Sequence, residues 1–231
     1  MMRTILVADR PAMGQWVAQQ AAEVLRTAIE QQGHATIITA TGASQFEVLG
    51  ELVQQPDLDW SRVTGFHLDE YVGLSPDHPA SFCRYLKERF VDRVPLANYH
   101  FLYGDQDPQE TIAKVGAELQ KTTVDVALVG IGENAHHAFK DPPADFETHD
   151  PYLIVELDEL CRNQQVGEGW FPSLADVPTE AISMSVQQIL KSKRIFCSVP
   201  DAQKATAVRK TLENGIDPQI PASILKQHAG T

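Results

Sequence analysis

Apolar residues fall along this chain in two rhythms: short unbroken runs, and longer stretches with an apolar residue at every third or fourth position. The runs predict strands: TILVA (Thr4 to Ala8), HATIITA (His34 to Ala40), RVTGFHLDE (Arg62 to Glu70), VDVALVGIG (Val124 to Gly132) and RIFCSV (Arg194 to Val199). The helical period covers GQWVAQQAAEVLRTAIEQQ, placed after Pro11 and stopped by Gly33, and then roughly Gln45 to Gln54. Further helices are expected at Ala80 to Phe90, Gln109 to Lys121, Glu180 to Lys193 and Asp201 to Asn214. Between Pro142 and Pro178 the period fades among scattered Pro, Gly and acids, which reads as an excursion over a site or as a poorly legible strand pair. Strands alternating with helices imply βαβ crossovers. The expected fold is a Rossmann-like, doubly wound α/β domain over residues 1–231, with a mostly parallel sheet and helices on both faces.

Composition narrows the function. With 43% hydrophobic and 22% charged residues the chain can bury an ordinary core. A net charge of -12 argues against nucleic acid, which needs a basic stripe, but leaves room for a small anion in a locally positive pocket. The three cysteines, Cys83, Cys161 and Cys197, are far apart and form no CxxC pair, as expected of free thiols in a reducing compartment. No stretch approaches the ~20 apolar residues of a membrane span, so a soluble, cytoplasmic protein is expected.

Open parallel sheets bind ligands beyond the carboxyl ends of their strands. Here those ends carry TGAS (Thr41 to Ser44), HLDEYVG, GIGENAHHAF (Gly130 to Phe139) and VPDAQK. Thr41, Gly42, Ala43 and Ser44 form a βα turn whose N–H groups and hydroxyl suit a phosphate, or simply make the turn. Lys204 opens a predicted helix, where a cation is unfavourable unless an anion lies near; otherwise it is an exposed lysine. Asp69 and Glu70 point to opposite sides of a strand, so one can face a cleft as a base while the other is structural or capping. The adjacent His136 and His137 diverge and lack HExxH spacing, so no metal is expected. An acid/base histidine oriented by a carboxylate and a polar loop histidine both remain open.

Three segments together, HLDEYVGLSPDHPASF, GIGENAHHAF followed by DP, and VPTEAISMSVQQILKSKRIFCSVPDAQKA, resemble the glucosamine-6-phosphate deaminase/isomerase family, whose fold 6-phosphogluconolactonases share. The resemblance runs from the first strand to about Ala222 and is most specific in DEYVGL with the HPxSF pattern. It implies a hexosamine 6-phosphate substrate, ring opening, aldose–ketose isomerisation through an enolamine, and hydrolytic loss of ammonia to give fructose 6-phosphate. No cofactor is implied. Asp69 aligns with the base that moves a proton between C1 and C2, and His136 with the ring-opening histidine. Gly42, Ser44 and Lys204 align with the phosphate pocket, and Arg162 with an arginine near the substrate.

The chain departs from the family where deaminases read G-N-D-G-H: it reads G-E-N-A-H, so Asn134 replaces an aspartate and Ala135 a glycine, while Asp141 replaces a glutamate. Asn134 cannot accept a proton, and Ala135 adopts positive φ less readily than glycine, so a differently shaped loop is expected. The alternatives this leaves are an isomerase or lactonase acting on another sugar phosphate, or a non-catalytic sugar-phosphate-binding regulator. The stretch matching the allosteric site of hexameric members, PADFETHDPYLI, holds no Arg or Lys. A monomer or small homo-oligomer is expected, without that activation.

Overall fold

The computed structural model describes residues 2–231. Helix α1 (Arg10–Gln32) begins where the Asp9 carboxylate accepts from the Ala12 N–H at 2.8 Å, and it buries Ala18, Ala21, Ala22 and Leu25 as one stripe. The chain continues through β1 (Ala35–Thr39), α2 (Phe46–Leu52), β2 (Val63–His67), β3 (Asp69–Tyr71), α3 (Phe82–Arg89), β4 (Asn98–His100) and α4 (Pro108–Leu119). There follow β5 (Val126–Val129), β6 (Tyr152–Glu156), α5 (Glu159–Gly167), β7 (Glu180–Met184), α6 (Val186–Leu190), β8 (Arg194–Cys197) and α7 (Ala205–Glu213).

Strands β4, β2, β1, β5 and β8 form a parallel sheet in that order. Alternate side chains feed two cores. Ile37, Val126 and Leu128 join one with α1 and α2, while Ile38, Ala127 and Val129 join another with α4 and α6. Burial on both faces is why these strands read as continuous apolar runs. Because the chain runs from β1 to β2 on one side and from β5 on to β8 on the other, a crevice opens between the carboxyl ends of β1 and β5.

A second, antiparallel sheet, in the order β3, β7, β6, crosses the mouth of the first. RVTGFHLDE is therefore two strands and not one. Leu68 hands the chain from sheet to sheet: its N–H donates to the Thr39 carbonyl at 3.2 Å, and its carbonyl accepts from the Met184 N–H at 2.9 Å. Buried Tyr152 locks the joint by donating to the His67 carbonyl at 2.8 Å. Asp69 is thus the first residue of the second sheet, where it faces the crevice.

Two other expectations need correction. EAISMS is not helical but forms β7, because its alternate residues pack between β3 and β6; the helix starts only after Ser185, whose hydroxyl accepts from the Gln188 N–H at 3.1 Å. TILVA is not a strand. A ladder needs a partner, and the start of the β8 edge is already met by the tail, with the Ile195 N–H donating to the Gly230 carbonyl at 3.2 Å. The segment lies on the surface, with Leu6 93% exposed. The faint region from Pro142 to Pro178 resolves into β6 and α5. Among the described residues no helix is long and apolar enough to cross a membrane.

Candidate active site

The crevice encloses a cavity of about 240 Å³ lined by Thr41 to Ser44, Asp69, His136 and Lys204. The turn after β1, the start of β3, the loop after β5 and the segment before α7 thus meet at one place.

Asp69 and Glu70 divide as alternation requires. Glu70 is fully buried and accepts from the N–H groups of Tyr71, Phe82 and Cys83 at 2.9, 3.2 and 2.7 Å and from the Ser81 hydroxyl at 2.8 Å. Its carboxylate therefore ties β3 to the first turn of α3, an anchoring role. Asp69 lines the cavity. Burial pushes its carboxyl up to about 7, against the pull of nearby Lys140.

The loop after β5 is wound tightly. The Gly132 N–H donates to the His136 carbonyl at 2.9 Å, the Ala135 N–H to the Gly132 carbonyl at 3.0 Å, and the His136 N–H to Asn134 Oδ1 at 2.9 Å. The His136 ring lies flat against Gly132, where an added Cβ would stand 2.1 Å from Cε1. Ala135 keeps the left-handed conformation at φ 68°, so the loop carries the turn without a glycine. The Ala222 N–H holds it there by donating to the Ala135 carbonyl at 3.0 Å. Burial lowers the His136 pKa, while Asp141, with Oδ1 3.5 Å from Nδ1, opposes the shift. The imidazole is therefore neutral near pH 7 and able to take a proton. His137 is turned inward and buried, its Nδ1 3.2 Å from the Gly130 carbonyl.

Asn134 is more than a lost acid. Its Nδ2 donates to Asp141 Oδ1 at 2.9 Å and to Asp158 Oδ2 at 3.3 Å, holding two carboxylates side by side. Asp158 also caps α5, accepting from the Cys161 N–H at 2.6 Å, and its own N–H donates to Asp141 Oδ2 at 3.0 Å. An aspartate at 134 would set a third carboxylate against these two. Asn134→Asp is therefore expected to lower stability by about 1–3 kcal/mol through lost donors and like-charge contact. Thermal melting checks this; an unchanged or higher Tm would refute it. His136, Asp141 and Cys161 also converge, each with a donor atom within 4.8 Å of the others. Burial pushes the Cys161 thiol up, and both Asp141 oxygens are already hydrogen-bonded, to Asn134 and to the Asp158 N–H.

At the other end of the cavity, Gly42 takes φ 88°, and its carbonyl accepts from the Tyr85 hydroxyl at 3.0 Å. Lys204 sits in a 3₁₀ turn leading into α7, and its Nζ is 3.4 Å from Glu168 Oε1. Arg10 also reaches this end. Its Nε donates to Asp201 Oδ1 at 2.8 Å, and its Nη1 is 3.5 Å from Glu47. Arg10, Glu168 and Asp158 carry no signal in the sequence; only the folded proximity of α1, α5 and the turn before α7 exposes them. Arg162 does not line the cavity: its Nη2 donates to the Leu174 and Val177 carbonyls at 2.7 and 2.9 Å, bracing the segment after α5.

A family profile described as glucosamine-6-phosphate isomerases/6-phosphogluconolactonase matches residues 8–231. A protein of Exiguobacterium sp. named glucosamine-6-phosphate deaminase is 39% identical over 194 residues, 83% of this chain and 74% of that one. Glucosamine-6-phosphate deaminase 1 of Bacillus subtilis is 35% identical over 222 residues, 92% of this chain and 89% of that one. Among solved structures, one described as a monomeric glucosamine-6-phosphate deaminase superposes with a TM-score of 0.90 at 29% identity, covering 99% of this chain and 94% of the other. A Trypanosoma brucei 6-phosphogluconolactonase, at 15% identity and a TM-score of 0.81 over 100% of this chain and 94% of its own, shares the fold.

Proposed function

The chain belongs to the glucosamine-6-phosphate isomerase/6-phosphogluconolactonase family, and from that premise we propose that it converts glucosamine 6-phosphate and water to fructose 6-phosphate and ammonia. The observation that carries this is the meeting of Asp69, His136 and Lys204 on one small cavity.

Each group has a task that its surroundings fit. Neutral His136 takes the proton from the C1 hydroxyl and returns it to the ring oxygen, opening the ring. Asp69 then removes the C2 proton of the open aldose, passing through an enolamine, and delivers it to C1, while a proton passes from the amino nitrogen to O1, which leaves an imine at C2. Water adds to the imine carbon and ammonia departs, so the overall step is hydrolytic. A base of this kind needs a pKa near the working pH, and the raised Asp69 carboxyl provides one. The TGAS turn and Lys204 hold the phosphate, which fixes C1 and C2 against the carboxylate. A monomer or small homo-oligomer fits this reading, since one solved relative is described as monomeric.

On this reading the phosphate takes the place of Glu168 beside Lys204. Lys204→Ala is expected to lower kcat/KM by about 10–100-fold, mostly through KM, as for loss of a charge-assisted hydrogen bond. Glu168→Gln is expected to leave kcat intact and lower KM. Steady-state kinetics on the variants checks both; an unchanged KM in Lys204→Ala would move the phosphate elsewhere.

The function itself is tested by offering purified protein glucosamine 6-phosphate, glucose 6-phosphate and 6-phosphogluconolactone in parallel. Ammonia release from the first, without isomerisation of the second or hydrolysis of the third, is expected. Turnover of the lactone alone would make the chain a lactonase, and binding without any turnover a regulator.

A further inference from the structure

The loop that carries His136 also buries a lysine, and nothing in the steps above uses it. Lys140 is 3% exposed and does not line the cavity; its neighbour Phe139 does. Its Nζ donates to the Ser183 hydroxyl oxygen, which also accepts from the Phe139 N–H at 3.2 Å. Ser183 stands directly opposite Asp69 in the antiparallel β3–β7 ladder. Directly opposed residues place their side chains on one face, with Cβ atoms about 4.5–5.5 Å apart. The ammonium thus lies on the same face of this ladder as the Asp69 carboxylate, without itself lining the cavity.

A buried lysine is costly unless paired, and the groups able to pair with it here are few. Asp69 faces it from β3, and Asp141 and Asp145 from its own loop; His137 is the other titratable group that feels its charge. Asp141 is already bonded to Asn134 and to the Asp158 N–H. Asp145 is bonded to the N–H groups of Glu147 and Thr148 at 2.7 and 3.0 Å. Asp69 has Glu70 beside it as a like charge and Lys140 as its opposite.

We propose that Lys140 is a positioning residue that supplies the counter-charge for Asp69, holding the shuttling carboxylate ionised and fixed through the Ser183 hydroxyl. The idea rests on the proton-shuttle reading of Asp69 for its functional consequence, but not for its electrostatics. Removing the charge leaves desolvation and Glu70 opposed only by the Phe139 N–H, so the Asp69 carboxyl must rise further. Burial already draws Lys140 down to about 7, so the two groups trade charge over the same pH range.

The test follows the Asp69 carboxyl carbon by NMR in aspartate-labelled, ligand-free protein, with Asp69→Asn assigning the signal. In Lys140→Met the Asp69 midpoint is expected to move up by about one to three pH units, as for loss of a close opposite charge. In Lys140→Arg it is expected to stay near the wild-type value. The acid limb of kcat/KM should follow the same order. An Asp69 midpoint unmoved in folded Lys140→Met overturns the proposal. If Lys140→Met does not fold, the wild type decides: the Lys140 Nζ signal must titrate together with Asp69, and an independent titration overturns the pairing. Failure of the deaminase reading is a separate outcome, seen as no ammonia from the wild type, and leaves the ligand-free titration readable.

Discussion

Asp69→Asn is expected to lower kcat by about 10²–10⁴ while KM for the sugar phosphate changes little. The amide keeps the shape of the side chain but cannot accept the C2 proton, so binding survives and proton transfer does not. In the wild type the same residue sets the pH dependence. Its carboxyl is raised to about 7 by burial, so the base form is lost as pH falls through that range, and kcat/KM falls with it. An ordinary exposed aspartate, ionising near 3.9, would leave the profile flat down to about pH 5. Steady-state kinetics from pH 5.5 to 9 separates these cases. A variant within about tenfold of wild type would remove Asp69 from the chemistry.

The second large effect comes from a residue with no side chain. His136 packs its ring against Gly132, and a methyl group there would stand 2.1 Å from Cε1 and 2.2 Å from Nε2. Ring and loop backbone cannot both keep their places, because Gly132 and His136 are joined by a backbone hydrogen bond of 2.9 Å. Gly132→Ala is therefore expected to cost about 1–3 kcal/mol in stability and, by displacing the imidazole, about 10² in kcat. Lys204 is untouched, so inorganic phosphate should still bind, which calorimetry checks. Full activity in Gly132→Ala would mean that His136 need not sit where it does.

Much of the fold was legible because its central strands are buried on both faces and cannot be mistaken for loops. TGAS and GIGEN announced the crevice for the same reason: glycine-rich polar turns directly after apolar strands. The switch at Leu68 left no mark, because leaving one sheet for another keeps the apolar alternation of RVTGFHLDE intact. EAISMS was misread because a five-residue strand followed at once by a serine-capped helix mimics one helical stretch. Asp69, His136, Ser44 and Lys204, picked out by local pattern and resemblance, all line the crevice. Asn134 was read only as a missing acid, because its partner Asp158 is 24 residues away. Arg162 was placed near the substrate by alignment, yet carbonyls after α5 hold it aside. Nothing in the sequence marks Lys140; only the folded chain buries it against Ser183, opposite Asp69 in the β3–β7 register.

The proposed chemistry turns on one carboxylate moving a proton within an opened amino sugar. The most direct measurement is an NMR time course of glucosamine 6-phosphate with wild type and with Asp69→Asn, reading fructose 6-phosphate and ammonia together. Wild type should form the two products in equal amounts, and Asp69→Asn should form almost none at the same protein concentration. Unchanged glucosamine 6-phosphate in the wild-type sample, or equal progress in both, would contradict it.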